Sequence, residues 1–494
     1  MNLLNNLQQT IIANSQRNAF CINKKHYTYQ ELAQVISGIR RKIKSSVLAK
    51  VTNIGLITND DIETYASILA LWFEGKAYVP INPEFPLERN TAIIQQANIQ
   101  FILDSSENTT FSECTSIQTK NASCSDINLP PIKVLKDDLA YILFTSGTTG
   151  IPKGVPINFK NISHFIESFK NLKYEITKED RCLQMFELTF DMSVLSFIIP
   201  LIKGACIYTI PRDEIKYSYI YELMEEFRLT VAAMVPSILN YLRPYFDEIN
   251  CPSMRLSLFA GEALPLDIVE EWSNCIPNAL ISNAYGPTEC TIICIQYQYK
   301  KNEINKVCNG ILSIGKEMTG INTIIIDEEN QVVKSGKKGE LCLSGIQLTE
   351  GYWQNEEKNR ETFFWKKHQG LNKRFYRTGD LCTKDKDDDI MYLGRVDYQA
   401  KIQGYRVELS EIEYHSKKIL DKLNVVALAI TNNAGNTEIG LVLESSKLET
   451  QTLINDLKKH LPQYMIPTQI KFIEDFPLNS NGKTDRNKLK ELFQ

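Results

Sequence analysis

Length, composition and charge narrow the classes of protein to which this chain belongs. It has 494 residues, of which 43% are hydrophobic and 23% charged, as is typical of a soluble globular protein with several domains. Its 55 basic and 59 acidic side chains give a net charge of −4, so the sequence predicts no binding to nucleic acid or to a membrane surface. The amino terminus lacks a signal peptide, and the apolar runs are too short for a membrane span. We therefore expect a cytoplasmic protein.

Short apolar runs and amphipathic segments alternate along most of the chain. The runs "NIGLIT", "ACIYTI" and "TVAAMV" predict buried strands. The segment "NISHFIESF" predicts a helix, because Ile162, Phe165 and Phe169 fall on one face at helical spacing. Such alternation favours an α/β fold in which helices connect parallel strands.

The pattern changes near Asp397. A helix is predicted in "SEIEYHSKKILDKL", where Ser410 and Glu413 have the spacing of a capping box. The strand-like runs "NVVALAI" and "EIGLVLES" and the amphipathic segment "LINDLKKHL" follow. We therefore predict two domains, at residues 1–396 and 397–494, the second of which is a small α+β domain.

A glycine-rich loop lies within "YILFTSGTTGIPKGVPINFKN". Glycines let backbone N–H groups approach an anion closely, hydroxyl side chains add donors, and a lysine adds charge. The residues concerned are Thr145, Ser146, Gly147, Thr148, Thr149, Gly150 and Lys153. A Walker A loop is excluded, because Pro152 and Gly154 stand where that motif needs glycine and Ser or Thr, and the Rossmann fingerprint is absent. The loop predicts a phosphate site of another kind, or else a polar turn between a strand and a helix.

The stretch "TSGTTGIPKG" resembles the phosphate loop of the adenylate-forming superfamily, which includes acyl-CoA synthetases, firefly luciferase and the adenylation domains of nonribosomal peptide synthetases. Nine further stretches between Tyr27 and Arg486 agree with that family in order: "YTYQEL", "AYVPINPEFPLER", "LTFDMS", "FAGEAL", "NAYGPTE", "GELCLSG", "YRTGD", "GRVDYQAKIQGYRVEL" and "NGKTDR". The resemblance implies a large amino-terminal adenylation domain of layered sheets and helices, followed by a small mobile lid domain.

The resemblance also implies a site for ATP and Mg²⁺. In "NAYGPTE" it assigns Tyr285 to the adenine face, Thr288 to a phosphate and Glu289 to Mg²⁺, which suits a hard carboxylate oxygen. In "YRTGD" and "LGRVD" it assigns Asp380 and Arg395 to the ribose. Further implied ATP contacts are Ala284, Gly286, Tyr392, Lys483 and the residues of the glycine-rich loop.

Two lysines are implied to serve one half-reaction each. Lys483 resembles the mobile lysine that bridges the substrate carboxylate and the α-phosphate during adenylation, where loss of one such donor costs about 10²–10³ in rate. Lys401 resembles the lysine that faces the site in the second orientation of the lid, which is used for thioester formation. Asp397 matches the hinge between the two orientations. With Thr288 and Glu289, the two lysines form the implied catalytic set.

Asp191 in "LTFDMSVLSFIIPLIKG" indicates the class of acid. Taken alone it predicts a helix N-cap, whereas the resemblance pairs it with the α-ammonium group of an amino acid. Members that use fatty or aryl acids usually lack a carboxylate there, because an unpaired buried carboxylate is costly. The rest of the implied pocket is apolar and consists of Met192, Leu195, Ala233, Leu258, Ala260, Ala284, Ile292 and Ile293. This pocket predicts a hydrophobic amino acid.

The sequence thus predicts an enzyme that forms aminoacyl-AMP and then a thioester, as in nonribosomal peptide synthesis. No carrier-protein serine motif follows Lys483, so we expect a separate phosphopantetheinylated carrier protein as acceptor, with coenzyme A as the other possible thiol. The chain also resembles D-alanine carrier-protein ligase, although Ala260 stands where that enzyme typically has cysteine. D-Alanine therefore remains an alternative substrate. A fatty acyl-CoA ligase and a nucleotide-binding protein without catalysis are further alternatives.

Overall fold

A computed structural model describes residues 3–106, 111, 113–147, 150–397, 399–421, 423–445, 449–478 and 484–493. Three residues of the predicted site, Thr148, Thr149 and Lys483, lie outside the described residues. Helices and strands alternate as the sequence predicted, and the α/β fold of layered sheets and helices is confirmed.

The helices are distributed along the whole of the described chain. They are α1 (Leu3–Ala13), α2 (Tyr29–Ser46), α3 (Ile62–Phe73), α4 (Leu87–Gln96), α5 (Phe159–Lys170), α6 (Asp191–Lys203), α7 (Lys216–Glu226), α8 (Ser237–Leu242), α9 (Leu266–Cys275), α10 (Glu356–Thr362), α11 (Leu409–Ile419), α12 (Thr450–Leu457) and α13 (Arg486–Lys490). Short 3-10 turns occur at Arg243–Tyr245, Thr288–Cys290, Gln463–Met465 and Glu491–Phe493.

The strands are short and mostly buried in the first half of the chain. They are β1 (Asn18–Ile22), β2 (Lys25–Thr28), β3 (Asn53–Ile57), β4 (Ala77–Ile81), β5 (Phe101–Asp104), β6 (Thr115–Gln118), β7 (Leu139–Thr145), β8 (Lys153–Asn158), β9 (Arg181–Gln184), β10 (Cys206–Thr209), β11 (Val231–Met234), β12 (Leu256–Phe259), β13 (Leu280–Tyr285) and β14 (Ile295–Gln298). Those that follow are β15 (Val307–Cys308), β16 (Ile311–Leu312), β17 (Lys316–Glu317), β18 (Ile321–Ile326), β19 (Gly339–Gly345), β20 (Phe363–His368), β21 (Leu371–Lys384), β22 (Ile390–Arg395), β23 (Gln399–Ile402), β24 (Tyr405–Glu408), β25 (Val425–Thr431), β26 (Thr437–Glu444) and β27 (Gln469–Ile473).

Two large sheets carry the site. Among the described residues, one sheet has the order β17-β14-β13-β12-β11-β9-β10-β1-β2, and the run from β13 to β1 is parallel. The other has the order β6-β5-β3-β4-β7-β8, and only the β7–β8 pair is antiparallel. The glycine-rich loop closes the β7–β8 hairpin, with Thr145 opposite Lys153. It therefore connects two strands, and α5 begins only after the second of them.

Apolar helices fill the space between the two sheets. Helix α3 contacts β3 and β4, and α6 contacts β9 and β10. The fully buried Trp72 of α3 lies beside Phe197 of α6, with ring centroids 6.1 Å apart. A helix between two sheets has no solvent-facing side, which explains why both helices are apolar on nearly all faces.

The remaining strands form smaller sheets. Strands β18, β19, β20, β21 and β22 make one antiparallel sheet that ends at Arg395. Beyond it, β23 and β24 form a hairpin, and β25, β26 and β27 form a separate sheet against which α11 packs. The predicted division of the chain between residues 396 and 397 falls between β22 and β23 and stays a prediction.

The predicted capping box at the start of α11 is wrong. The N-cap residue is Glu408, and it makes no side-chain cap hydrogen bond. Glu413 instead accepts a hydrogen bond from the backbone N–H of Ala427 at 3.0 Å and pairs with Arg486. A charged partner in another element is worth more to a carboxylate than a local cap, so tertiary contacts decide its position.

Candidate functional site

A cavity of about 110 Å³ lies at the carboxyl ends of the parallel strands β9, β11, β12 and β13. Ligands of open α/β sheets bind at this edge. The predicted residues on its wall are Thr145, Ser146, Asp191, Met192, Ala260, Tyr285, Gly286, Thr288, Ile292, Asp380, Arg395 and Lys401. The fold therefore collects into one cavity residues that are widely separated in sequence.

Two glycines give the glycine-rich loop its shape. A Cβ atom on Gly147 would lie 1.9 Å from the carbonyl oxygen of Ile151, so this position admits only glycine. Gly150 has a φ of +76°, and its Cβ would lie 2.9 Å from the ring of Tyr414 on α11. The loop is thus fitted both to its own backbone and to the face of a helix from the last hundred residues.

The polar groups of this loop are bound by the β23–β24 hairpin and by the start of α11. Ser146 donates its hydroxyl hydrogen to the carbonyl oxygen of Arg406 at 2.7 Å and accepts the N–H of Glu408 at 3.2 Å. Lys153 Nζ lies 2.9 Å from the Glu408 carboxylate, and both side chains are buried. Two of the predicted phosphate-binding groups are therefore already paired within the protein.

A second buried carboxylate reaches the loop from α11. Glu411 accepts the backbone N–H of Gly147 at 3.1 Å and pairs with Arg89 of α4 at 2.6 Å. The side chain of Glu411 is 0% exposed and that of Arg89 is 5% exposed. Because a buried charge needs close partners, these contacts tie α11 to the loop and to α4.

Glu289, the predicted Mg²⁺ ligand, is also buried. Both of its oxygens accept hydrogen bonds from Arg406 Nη1, at 3.0 and 2.9 Å, and one accepts from the Tyr352 hydroxyl at 2.7 Å. Burial alone would raise the pKa of Glu289, but Arg406 and Tyr352 outweigh it and hold the pKa below its ordinary value. A buried carboxylate that requires a cation suits Mg²⁺ when Arg406 is elsewhere, since Mg²⁺ is often bound by one carboxylate and substrate phosphates.

The predicted ribose and adenine residues form a second cluster. Buried Asp380 accepts a hydrogen bond from the Tyr285 hydroxyl and one from Arg395 Nη1 at 2.8 Å. Arg395 also pairs with Asp397, the predicted hinge residue, at 2.6 Å. Tyr392 lies on the same strand as Arg395, opposite Cys382. Hydrogen bonds and ion pairs thus connect Tyr285, Asp380, Arg395 and Asp397 in one cluster.

Lys401 enters the cavity from the β23–β24 hairpin. Its Nζ lies 5.6 Å from the centroid of the Tyr285 ring. Burial lowers the pKa of Lys401, and the nearby Asp380 carboxylate offsets only part of that effect. Glu262 connects the hairpin to the start of α8. Its carboxylate accepts the backbone N–H of Gly404 at 2.8 Å and that of Ser237 at 2.8 Å. This lysine therefore stands in the cavity in the observed orientation.

Asp191 is buried at the first turn of α6. The N-cap of that helix is Phe190, so the simple N-cap interpretation of Asp191 is wrong. Burial raises its pKa from 3.8 to about 7, although hydrogen bonds from Thr288 and from the Met192 and Ile292 backbone oppose the rise. Among the described residues its Oδ2 atom has no hydrogen-bond partner. A buried carboxylate oxygen without a partner, at the edge of a cavity, is suited to bind a cation.

The predicted side-chain pocket is divided between two places. Met192, Ala260 and Ile292 line the large cavity beside Asp191. Leu195, Ala233 and Leu258 line a separate apolar space of about 20 Å³. Ala284 and Ile293 are buried in the same hydrophobic core. The structure thus does not gather the predicted apolar residues into one space, and their assignment to a single substrate pocket stays a prediction.

Sequence reasoning missed the residues that hold the β23–β24 hairpin and α11 at the cavity. They are Arg89, Glu262, Arg406, Glu408 and Glu411. Three of them follow Lys401 in "AKIQGYRVELSE", where charged residues alternate with buried Val407 and Leu409. That alternation indicates a strand with one polar face, but it does not reveal what the polar face contacts.

Two properties of the described chain bear on other ligands. In that part of the chain, no helix is both long enough and apolar enough to cross a membrane. The same residues contain no cluster of three or more His, Cys, Asp or Glu arranged to hold a metal ion.

The chain is similar to known proteins over nearly its whole length. The family model described as "AMP-binding enzyme" matches residues 7–353. Tyrocidine synthase 3 of Brevibacillus parabrevis is 31% identical over 94% of this chain, but the match covers only 7% of that relative. D-alanine--D-alanyl carrier protein ligase of Bacillus licheniformis is 27% identical over 96% of both chains. The chain thus spans less than a tenth of the first of these relatives.

One solved structure is also similar to this chain over nearly its whole length. The Vibrio cholerae adenylation domain AlmE, in complex with glycyl-adenosine-5'-phosphate, superimposes with a TM-score of 0.87 at 26% identity. The match covers 99% of this chain and 97% of AlmE. Since the family model matches more than half of the chain, this protein belongs to the AMP-binding enzyme family, the adenylate-forming superfamily that its motifs resemble.

Proposed function

We propose that this chain converts a hydrophobic amino acid and ATP to aminoacyl-AMP and pyrophosphate, and then transfers the aminoacyl group to the phosphopantetheine thiol of a separate carrier protein. Asp191 is the observation that carries the proposal. Its unpartnered Oδ2 is buried beside the apolar residues Met192 and Ile292 and in the same cavity as Asp380. An α-ammonium group would supply the missing charge.

In the first half-reaction, the amino acid carboxylate attacks the α-phosphorus of ATP. A carboxylate oxygen bonds to that phosphorus, the bond to the bridging β-phosphate oxygen breaks, and pyrophosphate leaves. Ser146, Lys153 and Thr288 would donate to the phosphates, and Lys483 would bridge the two reacting anions. Mg²⁺, held by Glu289, would neutralise phosphate charge.

In the second half-reaction, a thiolate attacks the carbonyl carbon of the aminoacyl group, and AMP leaves. The observed orientation supports a role for Lys401 in this step, because it stands beside Tyr285 and near Asp380. The two half-reactions need different lysines at one cavity. We therefore propose that residues 397–494 form a lid that rotates at Asp397 relative to residues 1–396.

D-Alanine is the second candidate substrate. The similarity to D-alanine--D-alanyl carrier protein ligase over 96% of both chains favours it. An acyl-CoA ligase fits less well, because a fatty acid would leave the Asp191 carboxylate buried and unpaired.

The proposal is tested by ATP–pyrophosphate exchange with a panel of L- and D-amino acids that includes glycine and D-alanine. We expect exchange with one hydrophobic amino acid, and loss of that exchange in Asp191→Asn. Exchange with D-alanine alone would select the second candidate. Lack of exchange with every amino acid, in a protein that binds ATP, would contradict the proposed function.

A further inference from the structure

The connection between β13 and β14 has a strained backbone beside the cavity. Thr291 and Ile292 follow one another with φ angles of +52° and +74°. Both residues are β-branched, so this left-handed region is unfavourable for them, and such strain persists only where the surrounding structure enforces it. Ile292 lines the same cavity as Asp191, and its backbone N–H donates to the Asp191 carboxylate. The strained turn, residues 290–293, is therefore part of the proposed amino acid pocket.

The side chain of Gln347 contacts this turn from the protein interior. Gln347 is fully buried. Its Nε2 lies 3.2, 3.3 and 2.9 Å from the carbonyl oxygens of Cys290, Thr291 and Ile293. In return, the Thr291 hydroxyl donates to the backbone carbonyl oxygen of Gln347 at 2.5 Å. Among the described residues, the Gln347 Oε1 has no hydrogen-bond partner. Within that part of the chain, the carboxamide thus directs its hydrogen bonds to the turn alone.

Solvent cannot replace this carboxamide. Cys290, Thr291 and Ile293 are 0% exposed, so without Gln347 their carbonyl oxygens would lose a donor that water does not supply. A buried polar group without a partner is costly, and a strained backbone then relaxes to a conformation in which its carbonyls are paired. Relaxation of Thr291 and Ile292 to negative φ would turn the Ile292 N–H and side chain away from their present positions. The position of this part of the pocket wall therefore depends on Gln347.

We propose that Gln347 is a positioning residue for amino acid selection. By holding residues 290–293 in the left-handed conformation, it places the Ile292 side chain against the substrate side chain and the Ile292 N–H against Asp191. This inference rests on the proposed function, which assigns the cavity to an amino acid. Gln347 does not itself line the cavity, so it acts through the turn.

The residues just before the turn have anchors of their own. The backbone carbonyl oxygen of Glu289 accepts the N–H of Thr349 at 2.8 Å, and the Cys290 N–H donates to the carbonyl oxygen of Pro287 at 2.8 Å. These contacts do not involve the Gln347 side chain, so the proposed Mg²⁺ ligand should keep its place when that side chain is replaced. The inference therefore predicts a separation in which amino acid affinity changes and nucleotide affinity does not.

The first test compares Gln347→Met with the wild type in ATP–pyrophosphate exchange, with the amino acid and ATP varied in turn. Methionine keeps the length of the side chain and removes both N–H donors. We expect the KM for the amino acid to rise about tenfold, the effect of one misplaced methylene in a hydrophobic pocket. The KM for ATP should stay within about twofold. Discrimination between hydrophobic amino acids that differ by one methylene should fall as well, because Ile292 no longer holds the wall in place.

Asn305→Leu is the matched control. Asn305 is also buried, and its Nδ2 donates to the backbone carbonyl oxygens of Lys300 at 2.9 Å and of Glu303 at 3.1 Å. It does not line the cavity, so the loss of its donors reports the effect of general destabilisation. We expect both KM values to stay within about twofold of the wild type. An equal rise of the amino acid KM in Asn305→Leu would attribute the effect to stability and overturn the inference.

The second test uses the wild type and does not depend on the folding of a variant. Hydrogen exchange is followed at residues 290–293 in the ligand-free protein and after addition of the amino acid that supports exchange of pyrophosphate. We expect slow hydrogen exchange in both states, because Gln347 holds the turn before the substrate binds. Fast hydrogen exchange that slows only with the amino acid would mean that the substrate forms the turn, and it would overturn the inference.

The outcomes separate the inference from the proposed function. Amino-acid-dependent pyrophosphate exchange in the wild type, with KM values that Gln347→Met leaves unchanged or raises equally, would overturn the inference alone. Absence of pyrophosphate exchange with every amino acid, in a protein that binds ATP, would overturn the proposed function and the inference with it.

Discussion

The two sides of the cavity are organised differently. On the side proposed to bind ribose, Tyr285, Asp380 and Arg395 bind one another, and the proposed lid adds the ion pair between Arg395 and Asp397. On the phosphate side, Lys153 and Glu289 are bound by residues beyond Asp397. The mutual hydrogen bonds of the ribose side therefore lie before Asp397, whereas the contacts of Lys153 and Glu289 on the phosphate side depend on the position of the lid. Under the proposed function, nucleoside binding can persist through both half-reactions, while phosphate binding belongs to one.

The largest expected effect concerns Lys483, which lies outside the described residues. We predict that Lys483→Ala lowers ATP–pyrophosphate exchange by about 10²–10³, because a donor to the developing charge is lost. Transfer from supplied aminoacyl-adenylate should remain largely intact, since the observed orientation presents Lys401 to the cavity. Stopped assays of each half-reaction measure the two rates separately. Equal loss of both rates would contradict the assignment of one lysine to each half-reaction.

Asp380→Asn should disturb the ribose side and weaken both half-reactions. The amide is a poorer acceptor for the ribose hydroxyls, and a charged hydrogen bond is worth roughly 2 kcal/mol, or about 30-fold in nucleotide affinity. Arg395 keeps Asp397 as a partner, so we expect the variant to fold. Calorimetry with ATP and with AMP measures the change. The control is Asp387→Asn, an exposed aspartate that pairs with Lys306; a loss confined to ATP would contradict the comparison.

Asp191 should make amino acid binding depend on pH. Its pKa is about 7 in the folded protein, so we expect the affinity for the amino acid to fall about tenfold per pH unit below that value. The folded protein keeps a proton there that the unfolded chain loses above pH 3.8, so the free energy of unfolding decreases as pH rises from 3.8 to about 7.

Asp191→Asn removes this titration. We expect it to be more stable than the wild type by roughly 4 kcal/mol at pH 8 and similar to it at pH 4, since a shift of about three pKa units corresponds to that free energy. Thermal unfolding at both values measures the difference. A variant that is less stable at pH 8 would mean that Asp191 already has a cationic partner.

The difference between the two sides of the cavity also explains which contacts the sequence could predict. The sequence placed Asp380 and Arg395 at the ribose and Tyr285 at the adenine because they stand in recognisable motifs. The structure brings the three residues together, and their roles in binding ATP stay a prediction. The α/β fold followed from alternating apolar runs, which report burial. Alternating apolar runs are a property of the local sequence. The motifs are short stretches whose residues are constrained by the ligand that they bind.

The contacts of the lid were not predictable in this way. Arg406, Glu408 and Glu411 contact groups more than a hundred residues away, and under the proposed lid rotation those contacts exist in one orientation alone. The failed capping box at Ser410 has a related cause, because Glu413 is held by distant Arg486. A local charge pattern indicates that a buried charged residue needs a partner, but it does not identify which residue that partner is.

The smallest expected effect concerns Tyr285, which lies on the side of the cavity proposed to bind ribose. Tyr285→Phe removes the hydroxyl that donates to Asp380 and keeps the aromatic ring. Asp380 retains Arg395, so only one hydrogen bond is lost, which costs about 1 kcal/mol or roughly fivefold in nucleotide affinity. Because that bond lies before the proposed hinge, the factor should be the same for ATP and for AMP. Pyrophosphate affinity should stay within twofold, whereas a larger change would show that the two sides of the cavity are coupled.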